Sequence, residues 1–242
     1  MKPPTAEAKA RLLRALPIFA GLDVRMIGMI AAAAVPRNWP AGALMFQRGD
    51  AGDYMFIVTS GRVRLSLVTP HGRELILRYV GPREMLGEMA VLDGQARSSD
   101  AVAVQAVTGY ALSRADYMRL CQLGPDLPLA AARYLCGLLR ETNDKLESFV
   151  LYDLQARMAR FFLVMLRQRH GDVLPDRAEL RLDMTQGDLA AMLGASRPKV
   201  NRALNGLIEQ GAMTRDDVGL SCDTIALTQV AERDPNHGEM QA

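Results

Sequence analysis

The sequence is poor in the residues that cross-link small folds or build metal centres. It has three cysteines, Cys121, Cys136 and Cys222, far apart and without CxxC spacing. An odd count without that spacing supplies neither a disulfide framework nor a zinc or iron–sulfur signature. The thiols are expected to be buried or incidental in a reducing cytoplasm. Charge of one sign is also missing: Lys plus Arg is 29 and Asp plus Glu is 27, a formal net charge of +2. So small a balance gives no strong global field, and any nucleic-acid partner must be read from local charge. Long apolar runs are absent too. The longest, Met26 to Val35, is too short to span a bilayer and suits a buried helix. Met1 to Ala10 mixes Lys2, Glu7 and Lys9 with Pro3 and Pro4, and lacks the apolar centre of a signal peptide. There is no low-complexity tract and no internal repeat. The expectation is a soluble cytoplasmic chain with no metal and no membrane partner.

What is present is ordinary globular material. The chain has 242 residues, 49% hydrophobic and 23% charged, enough for one large domain or two ordinary ones with a real core. Apolar residues Ala10, Leu13 and Leu16 recur at helical spacing until Pro17. Asp23 can cap a second helix running to about Ala34. From Ala43 to about Leu112 the texture changes to short apolar runs punctuated by glycine. Tyr54 to Val58 is strand-like, and Val63 to Val68 and Glu74 to Val80 flank Pro70-His71-Gly72 as a hairpin. Many short strands without a crossover helix predict an antiparallel roll or barrel.

A long helix follows. Leu135, Leu139, Thr142, Leu146 and Phe149 are spaced by four, three, four and three residues, a heptad seam. It suits an amphipathic helix lying on its own domain or a parallel dimer helix. The 3.5-residue period, with polar Thr142 in the seam, favours the dimer. Asp153 can cap a further helix to about Arg169, ended by His170-Gly171-Asp172. Short strands are expected over Glu179 to Asp183 and Leu220 to Leu227, and a polar, frayed end from Glu232.

Between those strands lies helix–turn–helix spacing. Thr185 can cap a first helix with Leu189, Met192 and Leu193 on its apolar face. Gly194 supplies the turn. Ser196 can cap a second helix, with Pro198 in its first turn and Val200, Ala203, Leu204 and Leu207 inward. Arg197, Lys199, Asn201 and Arg202 fall off that inward face, where they can reach phosphates and base edges in a major groove. Thr185, Ser196, Arg197, Lys199, Asn201 and Arg202 are thus the candidate DNA-binding residues. The bland alternative is two packed helices with a solvated basic face. The surrounding acids Asp172, Asp176, Glu179, Asp183 and Asp188 deny the region a basic net charge, so only the local cluster favours DNA.

A second motif runs from Met85 to Ser99. Gly87 permits close backbone approach, and the N–H groups of Glu88, Met89 and Ala90 can cradle an anion. Arg97 offers a planar fork for phosphate oxygens and Ser98 a hydroxyl donor. Glu88 is an acceptor, unsuited to phosphate but suited to a sugar hydroxyl. The set points to a sugar phosphate; a turn followed by a surface arginine is the plain alternative.

Gly87-Glu88 followed by Arg97-Ser98 resembles the phosphate-binding cassette of cyclic-nucleotide-binding domains. With a long helix and a helix–turn–helix after it, and Leu16-Pro-Ile-Phe-Ala-Gly-Leu22 before it, the chain resembles the cyclic-AMP receptor protein (CRP/FNR) family of bacterial transcription regulators. The resemblance implies an α+β chain: an antiparallel, jelly-roll-like β-roll over residues 1–125, a dimerisation helix over 126–152 and a winged helix–turn–helix over 153–242. It implies that Gly87 and the amides after it meet a cyclic phosphate, Glu88 the ribose 2′-hydroxyl, and Arg97 and Ser98 the phosphate. Leu65 and Leu77 would wall the pocket, and Thr142 and Asn143 would meet the base. The expected function is a ligand-gated homodimer that binds a palindromic operator in double-stranded DNA and works with RNA polymerase, not an enzyme. Two departures stand out. The loop Leu92-Asp93-Gly94 is one residue shorter than in the family's best-known receptor, and Pro198 replaces a base-reading glutamate. Thr142-Asn143 favours cAMP as effector. The Asn amide and a Ser98 hydroxyl reaching a guanine amino group keep cGMP open. A ligand-independent, haem or redox sensor, and a cyclic-nucleotide module serving a partner protein, are the remaining alternatives.

Overall fold

The computed structural model describes residues 6–180, 182, 184–215 and 219–233. The chain divides into two compact units, Met1–Leu139 and Arg140–Ala242.

The first unit opens with α1 (Ala6–Arg14) and a single 3-10 turn over Pro17–Phe19. Helix α2 (Val24–Ala33) starts at Asp23, whose side chain accepts from the Met26 N–H at 2.7 Å. The apolar run beginning at Met26 therefore forms a helix, but its last residue, Val35, starts a strand. Eight strands follow: β1 (Val35–Trp39), β2 (Leu44–Phe46), β3 (Tyr54–Ser60), β4 (Val63–Val68), β5 (Glu74–Val80), β6 (Met85–Leu86), β7 (Asp100–Ala103) and β8 (Val107–Ser113). They form two four-stranded antiparallel sheets in the orders β1-β8-β3-β6 and β2-β7-β4-β5. The β4–β5 hairpin has the bounds that the apolar pattern predicts. Helix α3 (Glu88–Asp93) sits between β6 and β7, and α4 (Arg114–Cys121) follows β8.

Strand β3 shows why the pattern there is a run and not an alternation. Met55 and Ile57 pack with Leu13, Phe19, Ile27 and Leu112 in the helical side of the core. Phe56 and Val58 face the other way, into a cluster with Phe46, Val63, Leu65, Val80 and Leu86 inside the roll. A strand covered on both faces reads as continuously apolar. Trp39 closes the inner cluster edge-on against Phe56, with ring centroids 4.7 Å apart.

Helix α5 (Asp126–Leu151) is 26 residues long. Leu127, Ala130 and Ala131, near its start, are buried, while Leu135, Leu139, Leu146 and Phe149 of the heptad seam are exposed in the single chain. Leu135, Leu139 and Leu146 leave an apolar stripe at heptad spacing open in the single chain, while the Phe149 ring is met by Arg157.

The second unit packs around α6 (Leu154–His170), capped by Asp153 and ended at Gly171. Its remaining elements are β9 (Arg177–Leu180), α7 (Gln186–Met192), α8 (Arg197–Glu209), β10 (Met213–Arg215), β11 (Leu220–Asp223) and α9 (Thr224–Ala231). The three strands form one antiparallel sheet in the order β10-β11-β9. Phe162, Leu166, Leu189, Val200, Leu204, Leu207, Cys222 and Leu227 share its core.

Three local expectations are corrected here. The strand foreseen over Leu220 to Leu227 stops at Asp223, whose carboxylate accepts from the Ala226 N–H at 2.9 Å and starts a helix instead. The strand foreseen over Glu179 to Asp183 lies earlier, at Arg177–Leu180, and Asp183 is outside the described residues. Ser196 stands at the start of α8 but its side chain makes no capping bond. Of the end expected to fray from Glu232, only Glu232 and Arg233 are among the described residues, and the rest lies outside them.

Candidate ligand pocket and nucleic-acid interface

The anion motif is assembled by a sharp turn between β6 and α3. Gly87 adopts φ +77, the left-handed region that only glycine enters at little cost. Helix α3 starts at Glu88, so the motif's N–H groups belong to a first helical turn, which has no acceptor within the helix. Ala90 is buried, Met89 exposed, and Ser98 exposed with its hydroxyl 3.7 Å from the Met89 sulfur.

Arg97 lies in the loop after α3, yet it is only 3% exposed. Its backbone is tied on both sides, N–H to the Asp50 carbonyl and carbonyl to the Gly49 N–H, each at 2.9 Å. Its guanidinium stacks over the rings of Phe46 and Tyr54, 4.3 and 4.6 Å from their centroids. Nη1 donates to the Gly87 carbonyl at 3.0 Å. Nε and Nη2 are buried and have no partner among the described residues. Burial lowers the arginine's pKa, while Tyr54, Asp53, Asp50 and Glu88 favour its charge; a guanidinium stays protonated throughout. A buried cation with two unused donors is costly on its own and well suited to an anion that accepts from both.

Glu88 is 5% exposed. Burial pushes its pKa up, against the pull of its own backbone N–H and of Arg78 and Arg97. Leu65 on β4 is buried, and Leu77 on β5 is exposed where the β4–β5 register steps. A Cβ on Gly87 would collide with Arg97 Nη1 and stand 3.2 Å from the Tyr54 carbonyl oxygen, so the turn and the arginine fit only together. The structure therefore brings Gly87, Glu88 and Arg97 together, with Met89, Ala90 and Ser98 beside them. Thr142 and Asn143 are exposed on α5 and belong to the second unit. Among the described residues no cluster of three or more His, Cys, Asp or Glu side chains is placed to hold a metal, and no helix is long and apolar enough to cross a membrane.

In the second unit, α7 opens with a capping box. The Thr185 hydroxyl accepts from the Asp188 N–H at 3.1 Å and donates to the Asp188 carboxylate, which takes the Thr185 N–H in return. Thr185 is thus committed to holding the helix start. Gly194 makes the turn at φ +60. Val200, Leu204 and Leu207 are buried on α8, while Arg197, Lys199, Asn201 and Arg202 are all exposed. The Arg197 guanidinium reaches back over Gly187, where a Cβ would stand 2.5 Å from Nη2. Arg157 of α6 donates to the Leu193 carbonyl at the end of α7 and stacks on Phe149, 4.1 Å from its centroid.

Four contributors had escaped the reading of the sequence. Phe46 and Tyr54 support Arg97 through contacts that no local pattern signals. Arg157 acts across 36 positions. Arg78 did have a signal, a charge inside an apolar strand.

The comparisons with known proteins fit this geometry. Residues 36–123 match the cyclic nucleotide-binding domain family, and residues 156–227 match the Crp-like helix-turn-helix domain. The chain is 31% identical to a CRP-like cAMP-activated global transcriptional regulator of Mycobacterium tuberculosis, over 80% of this chain and 86% of that protein. It is 33% identical to the cyclic AMP receptor protein of Thermus thermophilus, over 83% of this chain and 89% of that one. This chain belongs to the CRP/FNR family. The crystal structure of the Thermus thermophilus catabolite activator protein, 32% identical, superposes with a TM-score of 0.52 over 89% of this chain and 98% of that one. The CRP/FNR architecture accounts for both motifs: the β-roll carries the cyclic-nucleotide domain, and α7–turn–α8 the DNA-binding element. The protein is a cyclic-nucleotide-binding transcription regulator of CRP/FNR type, a family of regulators and not of enzymes.

Proposed function

We propose that this chain is a homodimeric, sequence-specific DNA-binding regulator whose operator affinity is switched by cAMP. One observation carries the ligand site: the buried Arg97, with Nε and Nη2 unpartnered beside the buried Glu88. In this reading Arg97 and the amides after Gly87 take the cyclic phosphate, Glu88 accepts from the ribose 2′-hydroxyl, and Ser98 adds a donor. Leu65 and Leu77 line the pocket, and Thr142 and Asn143 read the base. The domains are the β-roll over 1–125, the helix over 126–152 and the winged element over 153–242. The effector supplies one anionic phosphate and one sugar hydroxyl; the chain's residues hold and orient both.

The names of the relatives at 31% and 33% identity, both cAMP proteins, support cAMP here. The uncovered seam of α5 supports the dimer. Ligand that binds one pairing of the α5 helices better than another shifts the population toward it. Paired recognition helices about 34–36 Å apart meet successive major-groove turns of a palindromic operator. In this reading Arg197, Lys199, Asn201 and Arg202 on α8, with Thr185 and Ser196 at the starts of α7 and α8, are the residues that contact DNA. The regulator works in the cytoplasm and engages RNA polymerase.

A second reading, cGMP, rests on Ser98, which is exposed and whose hydroxyl has a long contact to the Met89 sulfur, leaving it free to meet a guanine amino group. Calorimetry on protein stripped of carried-over nucleotide, titrated with each, tests the choice. Gel shifts with and without nucleotide test the switch. Binding of cGMP in preference to cAMP would reverse the assignment, and nucleotide-independent DNA binding would remove the gating.

A further inference from the structure

Strand β5 carries an arginine where its alternation calls for an apolar side chain. Ile76 and Val80 are buried, and Arg78 stands midway between them. Its cross-strand partner is the buried Leu65 of β4. Directly opposed residues of an antiparallel pair share a face, so Arg78 lies on the inner side of the roll. It is half-buried there, and its Nη2 donates to the Met85 carbonyl at 2.8 Å. Met85 precedes the left-handed turn at Gly87, and Glu88 follows it. The guanidinium is thus anchored at the base of the turn that presents Glu88, and that carboxylate feels its field.

We propose that Arg78 is a positioning residue for Glu88: held at the Met85 carbonyl, it acts as a counter-charge that keeps the carboxylate aimed at the sugar hydroxyl, and so sets the preference for ribose over deoxyribose nucleotides. This rests on the reading of the cradle as a cyclic-nucleotide site. A cyclic phosphate brings one negative charge and Glu88 another, while Arg97 supplies one positive charge. In a water-poor site the uncompensated negative charge is expensive. Arg78 supplies the second positive charge from outside the phosphate cassette, held at the Met85 carbonyl, three residues before Glu88. Removing it leaves Glu88 to take up a proton or turn away, and a protonated carboxyl is a weaker acceptor for the hydroxyl.

The test is titration of the full-length, nucleotide-stripped protein with cAMP and with 2′-deoxy-cAMP. Arg78→Gln keeps a donor for the Met85 carbonyl without the charge, and Arg78→Lys keeps the charge. The parent is expected to prefer the ribose form by about tenfold or more, the scale of a hydrogen bond to a charged group. In Arg78→Gln that preference falls to about threefold or less, with affinity for the deoxy form nearly unchanged; Arg78→Lys retains most of it. Thermal melts establish that each variant folds; if Arg78→Gln does not, a folded Arg78→Lys that loses the preference overturns the proposal and one that keeps it supports it. A parent-like preference in Arg78→Gln overturns it, as does an equal loss of affinity for both nucleotides, which would mark Arg78 as structural. A parent that binds neither nucleotide overturns the cyclic-nucleotide reading itself. A parent that binds both equally overturns only the roles given to Glu88 and Arg78.

Discussion

Arg97→Met separates the two demands the fold places on Arg97. The first is stability without ligand. The substitution removes two buried nitrogens with no partner, each costing about 1–3 kcal/mol in the parent. It also forfeits the bond from Nη1 to the Gly87 carbonyl, about 1.5–3 kcal/mol for a charged donor. The stacking on Phe46 and Tyr54 adds about 0.5–2 kcal/mol to that loss. These contributions oppose each other and are similar in size, so the ligand-free variant should lie within about 2 kcal/mol of the parent. The second demand is binding. Truncating one partner of a buried, hydrogen-bonded charge pair costs about 2–5 kcal/mol, and about 4 kcal/mol is close to a thousandfold in affinity. With cAMP at about one hundred times the parent's Kd, the parent gains about 2.7 kcal/mol of stability. At the same concentration the variant gains less than about 0.1 kcal/mol. Calorimetric melting with and without nucleotide reads both quantities. The parent should melt about 5 °C or more higher with nucleotide, and the variant should not move. A variant that keeps the ligand-induced shift would place the phosphate elsewhere. A ligand-free variant destabilised by more than about 4 kcal/mol would make Arg97 a structural strut.

Other perturbations address the remaining parts. Glu88 is buried with its pKa raised, so the folded state penalises its ionisation. That penalty grows as pH rises from the ordinary carboxylate range through the raised value, and Glu88→Gln should raise the ligand-free melting temperature at neutral pH but not in acid. A gain independent of pH would refute this. Leu146→Glu places a charge against its symmetry mate in the α5 seam; light scattering should show a monomer at low micromolar concentration, and a persistent dimer would mean that the dimer forms elsewhere. Arg202 is exposed on α8, so Arg202→Ala should leave the fold and nucleotide binding alone and weaken operator binding by about 1–3 kcal/mol at fixed salt. Unchanged operator affinity would take Arg202 out of the interface. Asn143→Ala should keep most of the phosphate-driven affinity and lose discrimination between adenine and guanine nucleotides; equal selectivity in mutant and parent would remove Asn143 from base reading.

Much of this protein is determined locally, and that part was legible in the sequence. Asp23, Asp153 and Thr185 start helices because an oxygen on a short side chain satisfies the first N–H groups, an interaction confined to four residues. The β4–β5 hairpin follows from apolar strands around a Gly-containing turn. The cassette from Gly87 to Ser98 and the helix–turn–helix are short, contiguous motifs, so their order along the chain was enough to suggest the family. Local patterns misled in three places: the cap at Asp223 turned the second half of Leu220 to Leu227 into a helix, the strand foreseen from Glu179 begins at Arg177, and Ser196 starts α8 without a capping bond. Tertiary structure decided what the motifs rest on. That Arg97 is buried at all depends on Phe46 and Tyr54, brought from β2 and β3 by pairings with β7 and β8. That Arg78 faces inward depends on its register opposite Leu65. Arg157 meets the end of α7 only because α6 and α8 pack together with it in one core. Burial and pairing are properties of surfaces in contact, and a sequence carries them only through the fold it adopts.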